Sequence, residues 1–319
     1  VLLSVRDLSV EFFTRQGRFT PVQHISFDVA SGCVLGIVGE SGSGKSITAL
    51  SLMQLLPEGA ARIASGQIMF GGSDLRQRSE RQMQAIRGRE IAMIFQDPMT
   101  SLNPIFSVGH QLREPLSLHL GLGRAAADKR AGELLSLVRI ADPRGCLKKY
   151  PHELSGGMRQ RVMIAIAISC NPKLLIADEP TTALDVTTQA QILDLLRDLQ
   201  EKLDMSVILI THDLGVVADF ADDVLVMYAG RIVERAPVAE IFFRPKHPYT
   251  QGLLHSMPSL EEADPERLPT IEGMVASPFA LPDGCAFHPR CAHAWAACRE
   301  AVPPFRKIAA DHEAACLLP

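Results

Sequence analysis

Apolar positions along the chain fall into two rhythms, short continuous runs and stripes recurring every three to four residues. Leu3, Val5, Leu8 and Val10 lead into Phe12 and Phe13, a polar segment from Thr14 to Arg18 follows, and Ile25–Val29 precedes a Ser31-Gly32 turn. This spacing predicts short strands joined by turns. Val34–Val38 is apolar throughout, as in a strand covered on both faces of a sheet. It ends in a glycine-rich loop, and Ile47–Leu56 beyond it has helical spacing. Ile91–Phe95 is a second apolar run, closed by Gln96-Asp97-Pro98. From about Asn103 to Cys170 the pattern is mostly helical, broken at Gly121 and Gly123.

Strand and helix then alternate: Leu174–Ala177, a helix over Thr187–Leu203, and Val207–Ile210. Ile192, Leu195, Leu196, Leu199 and Leu203 share one face of that helix. Val224–Tyr228 and Arg231–Glu234, separated by Ala229-Gly230, predict a hairpin with a two-residue turn. The order implies the α/β class with a largely parallel sheet. Beyond about Pro237 prolines become frequent and periodicity fades, so a smaller second unit is expected there, and no internal repeat is visible.

Composition narrows the class. The 319 residues allow about two domains at the usual ~100–200 residues each. With 47% hydrophobic and 21% charged residues the chain reads as globular. A net charge of −4 supplies no general basic field for nucleic acid. No apolar stretch approaches the ~20 residues needed to span a bilayer, and the first residues lack the basic-then-apolar pattern of a signal peptide. The expectation is a cytosolic chain, neither secreted nor integral to a membrane.

Gly39-Glu40-Ser41-Gly42-Ser43-Gly44-Lys45-Ser46 fits G-x-x-x-x-G-K-[ST] between an apolar strand and a helix. Such a loop points backbone N–H groups at phosphate oxygens, and the helix N-terminus adds its positive dipole end. Lys45 is expected on the β- and γ-phosphates of ATP and Ser46 on Mg²⁺, with Gly39, Ser41, Gly42 and Gly44 in the cradle. Leu174–Ala177 ends in Asp178-Glu179-Pro180. Asp178 is expected to hold Mg²⁺ through water, and Glu179 to face the water that attacks the γ-phosphate, as general base.

Leu154-Ser155-Gly156-Gly157-Met158-Arg159-Gln160-Arg161 resembles the signature motif of ATP-binding-cassette (ABC) ATPases, with Met158 in place of the usual glutamine. The resemblance implies an ABC-ATPase core with a mixed or parallel sheet, and a helical signature subdomain over about residues 97–170. It also implies an ATP sandwich in which Ser155, Gly156 and Gly157 face the nucleotide of a partner subunit. Gln96 resembles the Q-loop glutamine that contacts Mg²⁺ and the attacking water. Ala183-Leu184-Asp185 resembles the D-loop that crosses the dimer interface, and His212 the switch histidine near the γ-phosphate. The family stacks an aromatic residue on adenine; Phe12, Phe13 and Phe19 are candidates, with Phe12 preferred.

The absence of a long heptad insertion and the single cassette separate the chain from chromosomal and ribosomal ABC proteins, which leaves transport, with a nucleic-acid or ribosomal ATPase as the rival reading. His247-Pro248-Tyr249-Thr250-Gln251-Gly252-Leu253-Leu254 and Gly284-Cys285-Ala286-Phe287-His288-Pro289-Arg290-Cys291 resemble the tail of dipeptide and oligopeptide importer ATPases. So does Gln96-Asp97-Pro98-Met99-Thr100-Ser101-Leu102-Asn103-Pro104. This group includes nickel importers. The resemblance implies an ATPase domain over 1–236, an importer extension over 237–319, and residence at the cytoplasmic face of the inner membrane as a peripheral protein. The partners implied are a second ABC ATPase chain, two permeases and an external substrate-binding protein.

Of the seven cysteines, Cys33, Cys146 and Cys170 are scattered and read as small buried thiols. Cys285, Cys291, Cys298 and Cys316 crowd a Pro- and Ala-rich tail with little visible capacity for a core. In a reducing compartment such a group suggests a metal site before disulfides. Zinc ordinarily shows C-x₂₋₄-C knuckles, which are missing; a 4Fe–4S cluster tolerates wider spacing, and the importer resemblance favours it. The expectation is a metal-binding extension with these four cysteines on a 4Fe–4S cluster. Zn²⁺ is the alternative, or thiols left free or paired. His288 and His293, between them, are read as flanking or surface residues.

Overall fold

The computed structural model describes residues 1–97, 101–182, 184–257 and 271–318. The N-terminal half contains β1 (Leu3–Thr14), β2 (Gly17–Val29), β3 (Val34–Val38), α1 (Lys45–Leu52), β4 (Ala61–Phe70), β5 (Ser73–Asp74), α2 (Glu80–Ile86), β6 (Ile91–Ile94), α3 (Val108–Leu120), α4 (Arg124–Leu137) and α5 (Pro143–Cys146). Then come α6 (Gly156–Ala167), β7 (Leu174–Asp178), α7 (Val186–Leu203), β8 (Ser206–Thr211), α8 (Leu214–Phe220), β9 (Asp223–Tyr228) and β10 (Arg231–Pro237). The tail adds α9 (Val238–Phe243), α10 (Pro248–His255), α11 (Ala296–Glu300), β11 (Arg306–Ala309) and β12 (His312–Ala314). Among the described residues no helix is long and apolar enough to cross a membrane.

The chain divides into two compact units, the first built from residues 1–29, 34–76 and 210–319, the second from 30–33 and 77–209. In the first, β1 and β2 form one long antiparallel hairpin, from Leu3 opposite Val29 to Thr14 opposite Gly17. Leu3, Val5, Leu8 and Val10 are all fully buried although the step from Val5 to Leu8 is odd. A period-2 strand would turn Leu8 outward after that step. A register shift between Val5 and Leu8, with Asp7 at φ 51°, restores it inward. β4 pairs with the other edge of β1, and β5 with β4. A second run of strands in this unit has the order β11-β12-β10-β9-β3. β3 is buried along its length and runs parallel to β9. β9 turns into β10 through Ala229 and Gly230, both at positive φ (48° and 82°), as a two-residue hairpin requires.

The second unit carries parallel β6 and β7, with β8 beside β7, and most of the helices. The breaks expected at Gly121 and Gly123 are a left-handed C-cap of α3 (φ 66°) and the N-cap of α4. Ile192, Leu195, Leu196 and Leu199 of α7 are buried as the stripe predicts, with Leu203 half-buried at its end.

The tail has more internal order than its sequence suggests. Phe287, 3% exposed, packs edge-on against Tyr228 (5.2 Å between ring centres) and tilted against Tyr249 (5.3 Å), which itself meets Tyr228 at 4.6 Å. Such ring pairs are each worth about 0.5–1.5 kcal/mol beyond area burial. Glu234 of β10, fully buried, accepts from the backbone N–H groups of Lys246 (2.6 Å) and His247 (3.0 Å), and His312 Nε2 lies 2.7 Å from its Oε1. One carboxylate thereby ties α10 and β12 to the same strand.

His247 is the N-cap of α10, its Nδ1 accepting from Tyr249 N–H at 3.1 Å, with Pro248 at the first helical position. Burial lowers its pKa from 6.5 to about 4. The neutral ring is favoured in the fold, so His247 contributes full stability above pH 6.5 and loses it as the pH falls toward 4, roughly 3 kcal/mol in all. His247→Asn keeps a capping acceptor and removes the titration. Between pH 7 and pH 4.5 the urea midpoint of the wild type should fall further than that of His247→Asn; parallel falls would contradict this account.

Candidate functional site

The glycine-rich loop lies where β3 leaves its sheet and α1 begins. Gly39 (φ 153°) and Gly44 (φ 101°) are the positions that admit no side chain: a Cβ at Gly39 would run into the Met227 carbonyl, and one at Gly44 into the Pro21 carbonyl. Loop and neighbouring strands therefore meet backbone to backbone. Ser43 N–H donates to Glu40 C=O (3.2 Å), and Gly230 N–H to Ser43 C=O (3.0 Å). Lys45, 5% exposed, donates through Nζ to Gly39 C=O at 2.7 Å and Glu40 C=O at 3.0 Å. Gly44 caps α1 with its backbone alone, so no side chain competes for the N–H groups of the first turn, where Lys45 and Ser46 stand.

Glu40 is gripped by the tail. Its N–H donates to the Tyr249 hydroxyl at 2.8 Å, and its carboxylate accepts both Arg290 terminal nitrogens, at 2.7 and 3.0 Å. Arg290 also donates to the carbonyls of Ile271 and Glu272 and reaches the Tyr228 hydroxyl at 3.5 Å. Its side chain is 4% exposed, and the Glu40 carboxylate pushes its already high pKa further up. Burial raises the Tyr249 phenol likewise, so the hydroxyl stays protonated. In the sequence Tyr249 and Arg290 stand only as parts of tail motifs; nothing local marks a partner more than two hundred residues away.

In the second unit, Ile94 of β6 stands opposite Ala177 of β7, so Gln96 and Glu179 each lie two residues past matched positions. Gln96 Nε2 donates to Glu179 Oε2 at 2.9 Å, and Thr182 Oγ1 to the same oxygen at 2.8 Å. Thr182 was not singled out by the sequence, although it lies one turn beyond the glutamate. Asp178 is buried at the end of β7. Glu179 has φ 48°, a left-handed conformation costly for a non-glycine residue and concentrated at functional sites.

Ser155 caps α6, its side chain accepting from Met158 N–H (3.3 Å). Gly156 and Gly157 form the first turn, and a Cβ on Gly157 would press on the Thr188 methyl at 2.9 Å. Asp185 caps α7, accepting from Thr188 N–H (2.9 Å) and Oγ1 (2.8 Å); the backbone bond first, then the hydroxyl, lowers its pKa. Ala183, and Pro98, Met99 and Thr100 of the Q-loop segment, lie outside the described residues. The expected site residues thus fall in both units: the P-loop, Phe12 and His212 in the first, Gln96, Asp178, Glu179, Ser155, Gly156, Gly157 and Asp185 in the second. His212 is exposed just past β8. Phe12 pairs across the β1–β2 hairpin with Phe19 at 5.5 Å, and Phe19 meets Phe279 at 4.8 Å.

The expected metal-binding extension is not found. Among the described residues no group of three or more His, Cys, Asp or Glu side chains is placed to hold a metal ion, which overturns both the 4Fe–4S cluster and the Zn²⁺ alternative for Cys285, Cys291, Cys298 and Cys316. All four are free cysteines that border one cavity of about 20 Å³. That is room for about one water, far short of an iron–sulfide core. Burial raises the pKa of Cys285, Cys291 and Cys316, so these thiols are neutral in this fold. The tail also has more capacity for packing than its composition suggests, because Phe287, the Cys285 N–H to Cys298 C=O bond (2.8 Å) and the β10–β12 pairing hold it together.

Residues 22–182 match the ABC transporter family, and residues 233–298 match the oligopeptide/dipeptide transporter C-terminal region. A protein of Sinorhizobium fredii described as a peptide ABC transporter ATP-binding protein is 52% identical over 99% of this chain and 94% of its own length. The oligopeptide transport ATP-binding protein OppD of Bacillus subtilis is 53% identical over 98% of this chain and 87% of its own. Neither description mentions an iron–sulfur group. Among solved structures, a dimeric bacterial ABC transporter cassette superposes with a TM-score of 0.66 at 25% identity, covering 74% of this chain and 98% of that one. With a P-loop on one unit, a glutamate held by glutamine and threonine on the other, and these two matched regions, the chain belongs to the ABC transporter family as an ATP-binding, ATP-hydrolysing subunit.

Proposed function

We propose that this chain is the motor subunit of an importer of dipeptides or oligopeptides, working on separate membrane permeases. The observation that carries the reading is the oligopeptide/dipeptide transporter region at 233–298 on the same chain as the cassette, in an order shared with relatives over nearly their whole length. Substrate choice rests with the permeases and an external binding protein. The chain supplies ATP-driven closure of two cassettes at the cytoplasmic face of the membrane.

The residues take the following roles. The P-loop N–H groups and the dipole of α1 receive the phosphates, and Lys45 leaves the Gly39 and Glu40 carbonyls to reach the β- and γ-oxygens. Ser46, Gln96 and Asp178 carry the hard oxygen donors that Mg²⁺ takes. Gln96, whose amide nitrogen donates to Glu179, would be left its amide oxygen for the ion, which would supply charge neutralisation on the phosphates. Glu179, oriented by Gln96 and Thr182, accepts the proton of the attacking water. His212 faces the γ-phosphate, Phe12 the adenine, and Ser155, Gly156, Gly157 and Asp185 the partner cassette.

Glu179→Gln should keep ATP binding and slow hydrolysis by roughly 10²–10⁴, the usual worth of a general base, with the closed dimer accumulating. Lys45→Ala should instead weaken nucleotide binding itself. Hydrolysis at the wild-type rate in the assembled Glu179→Gln transporter would remove Glu179 from its role. Co-expressed with its permeases, the chain should fractionate with membranes, and peptide-loaded binding protein should raise its ATPase rate. Recovery on ribosomes or DNA, without permeases, would favour the rival reading.

A further inference from the structure

We infer that the C-terminal extension completes the nucleotide site, Tyr249 and Arg290 acting as positioning residues that hold Glu40 of the P-loop. This rests on the proposal that the loop binds ATP.

Glu40 is the second residue of the loop, and each of its polar groups is engaged. Its N–H is taken by the Tyr249 hydroxyl and its carboxylate by Arg290, while its carbonyl accepts from Ser43 N–H and Lys45 Nζ. The first two partners belong to the tail, the last two to the loop itself. The difference matters once a triphosphate arrives. Lys45 must turn from the Gly39 and Glu40 carbonyls to the phosphates, and the loop loses its strongest internal donor at that moment. A loop held only by Lys45 would relax as it bound. One pinned at Glu40 keeps its shape, and the cost of ordering it is met before the ligand comes.

The second consequence is electrostatic. Glu40 places a carboxylate within the sequence that receives some four negative charges. Left unpaired it repels them. Arg290 meets it with two parallel N–H···O bonds, the geometry in which a guanidinium neutralises a carboxylate most completely. Arg290 is itself held by the Ile271 and Glu272 carbonyls, and it stands 5.8 Å from the ring centres of both Tyr228 and Phe287. Tyr249 is fully buried beside those rings. Both contacts to Glu40 thus come from tail side chains fixed by packing on Phe287 of the tail and Tyr228 of β9. Both side chains bond to Glu40 itself, so each acts through the loop.

The test uses the full-length chain, with binding of a fluorescent ATP analogue, and the assembled transporter, with KM and kcat for ATP. Arg290→Met retains most of the buried stem and should raise the dissociation constant and KM roughly tenfold, the scale of a hydrogen-bonded charge pair. kcat should change by less than about twofold. The loss should be greater at low salt, where an unpaired Glu40 is least screened. Glu40→Gln in the same chain should recover most of the affinity. Tyr249→Phe, which strands the Glu40 N–H, should raise the dissociation constant several-fold with no salt dependence. A merely structural role would lower the unfolding temperature of Arg290→Met with no recovery from Glu40→Gln and no salt effect, and that result overturns the inference. So would wild-type affinity in both Arg290→Met and Tyr249→Phe. Lys45→Ala separates the two failures. If it also bound the analogue normally, the loop would not be the ATP site; if it lost binding while the tail variants did not, only the positioning role would fall.

Discussion

A loop that offers backbone N–H groups to phosphate oxygens can spend few of them on its own fold. Much of this structure is arranged around that constraint. The loop is anchored by what remains: carbonyls that accept from Ser43, Lys45 and Gly230, glycines at 39 and 44 that let neighbouring backbones press in, and the side chain and N–H of Glu40. β3 can serve as the platform because it is buried along its whole length and paired with β9, so its end is fixed. α6 and α7 differ from α1 in this respect, since Ser155 and Asp185 cap their first turns with side chains.

In the second unit the corresponding problem is to hold a carboxylate in one orientation at the end of a strand. Parallel pairing of β6 with β7 brings Gln96 beside Glu179 without any choice by the side chains, since both follow matched register positions. Thr182 then closes from the other side along the chain. The left-handed backbone at Glu179 is local strain at the residue whose carboxylate Gln96 and Thr182 hold.

Local features were readable from sequence and distant ones were not. The P-loop spacing, the hairpin around Ala229-Gly230 and the buried stripe of α7 depend on neighbours within a few residues, and each has its predicted form. β1 was visible as an apolar run, but the bulge at Asp7 that reconciles Val5 with Leu8 shows only in the odd spacing. The tail was misjudged for a physical reason. Its order comes from single residues, Tyr249, Phe287, Arg290 and His312, each meeting a partner far away in the chain. No periodicity records such contacts, and a crowd of cysteines stood out instead. Cysteines close in sequence need not converge as ligands, and here they border a cavity of about 20 Å³.

The make-up of the first unit bears on how the protein is synthesised. Residues 77–209 are contiguous and can close as soon as they leave the ribosome, whereas the first unit joins residues 1–76, bar a four-residue loop, to 210–319. Its N-terminal hairpin and P-loop are made early, yet Tyr249, Arg290 and β12 follow more than two hundred residues after Glu40. At ~5–20 residues per second the loop waits many seconds for its partners. The nascent chain therefore holds a nucleotide loop whose Glu40 has neither tail partner until Tyr249 emerges and no guanidinium until Arg290 does, so a chain cut short between the two would keep the Glu40 N–H bond and lack the ion pair.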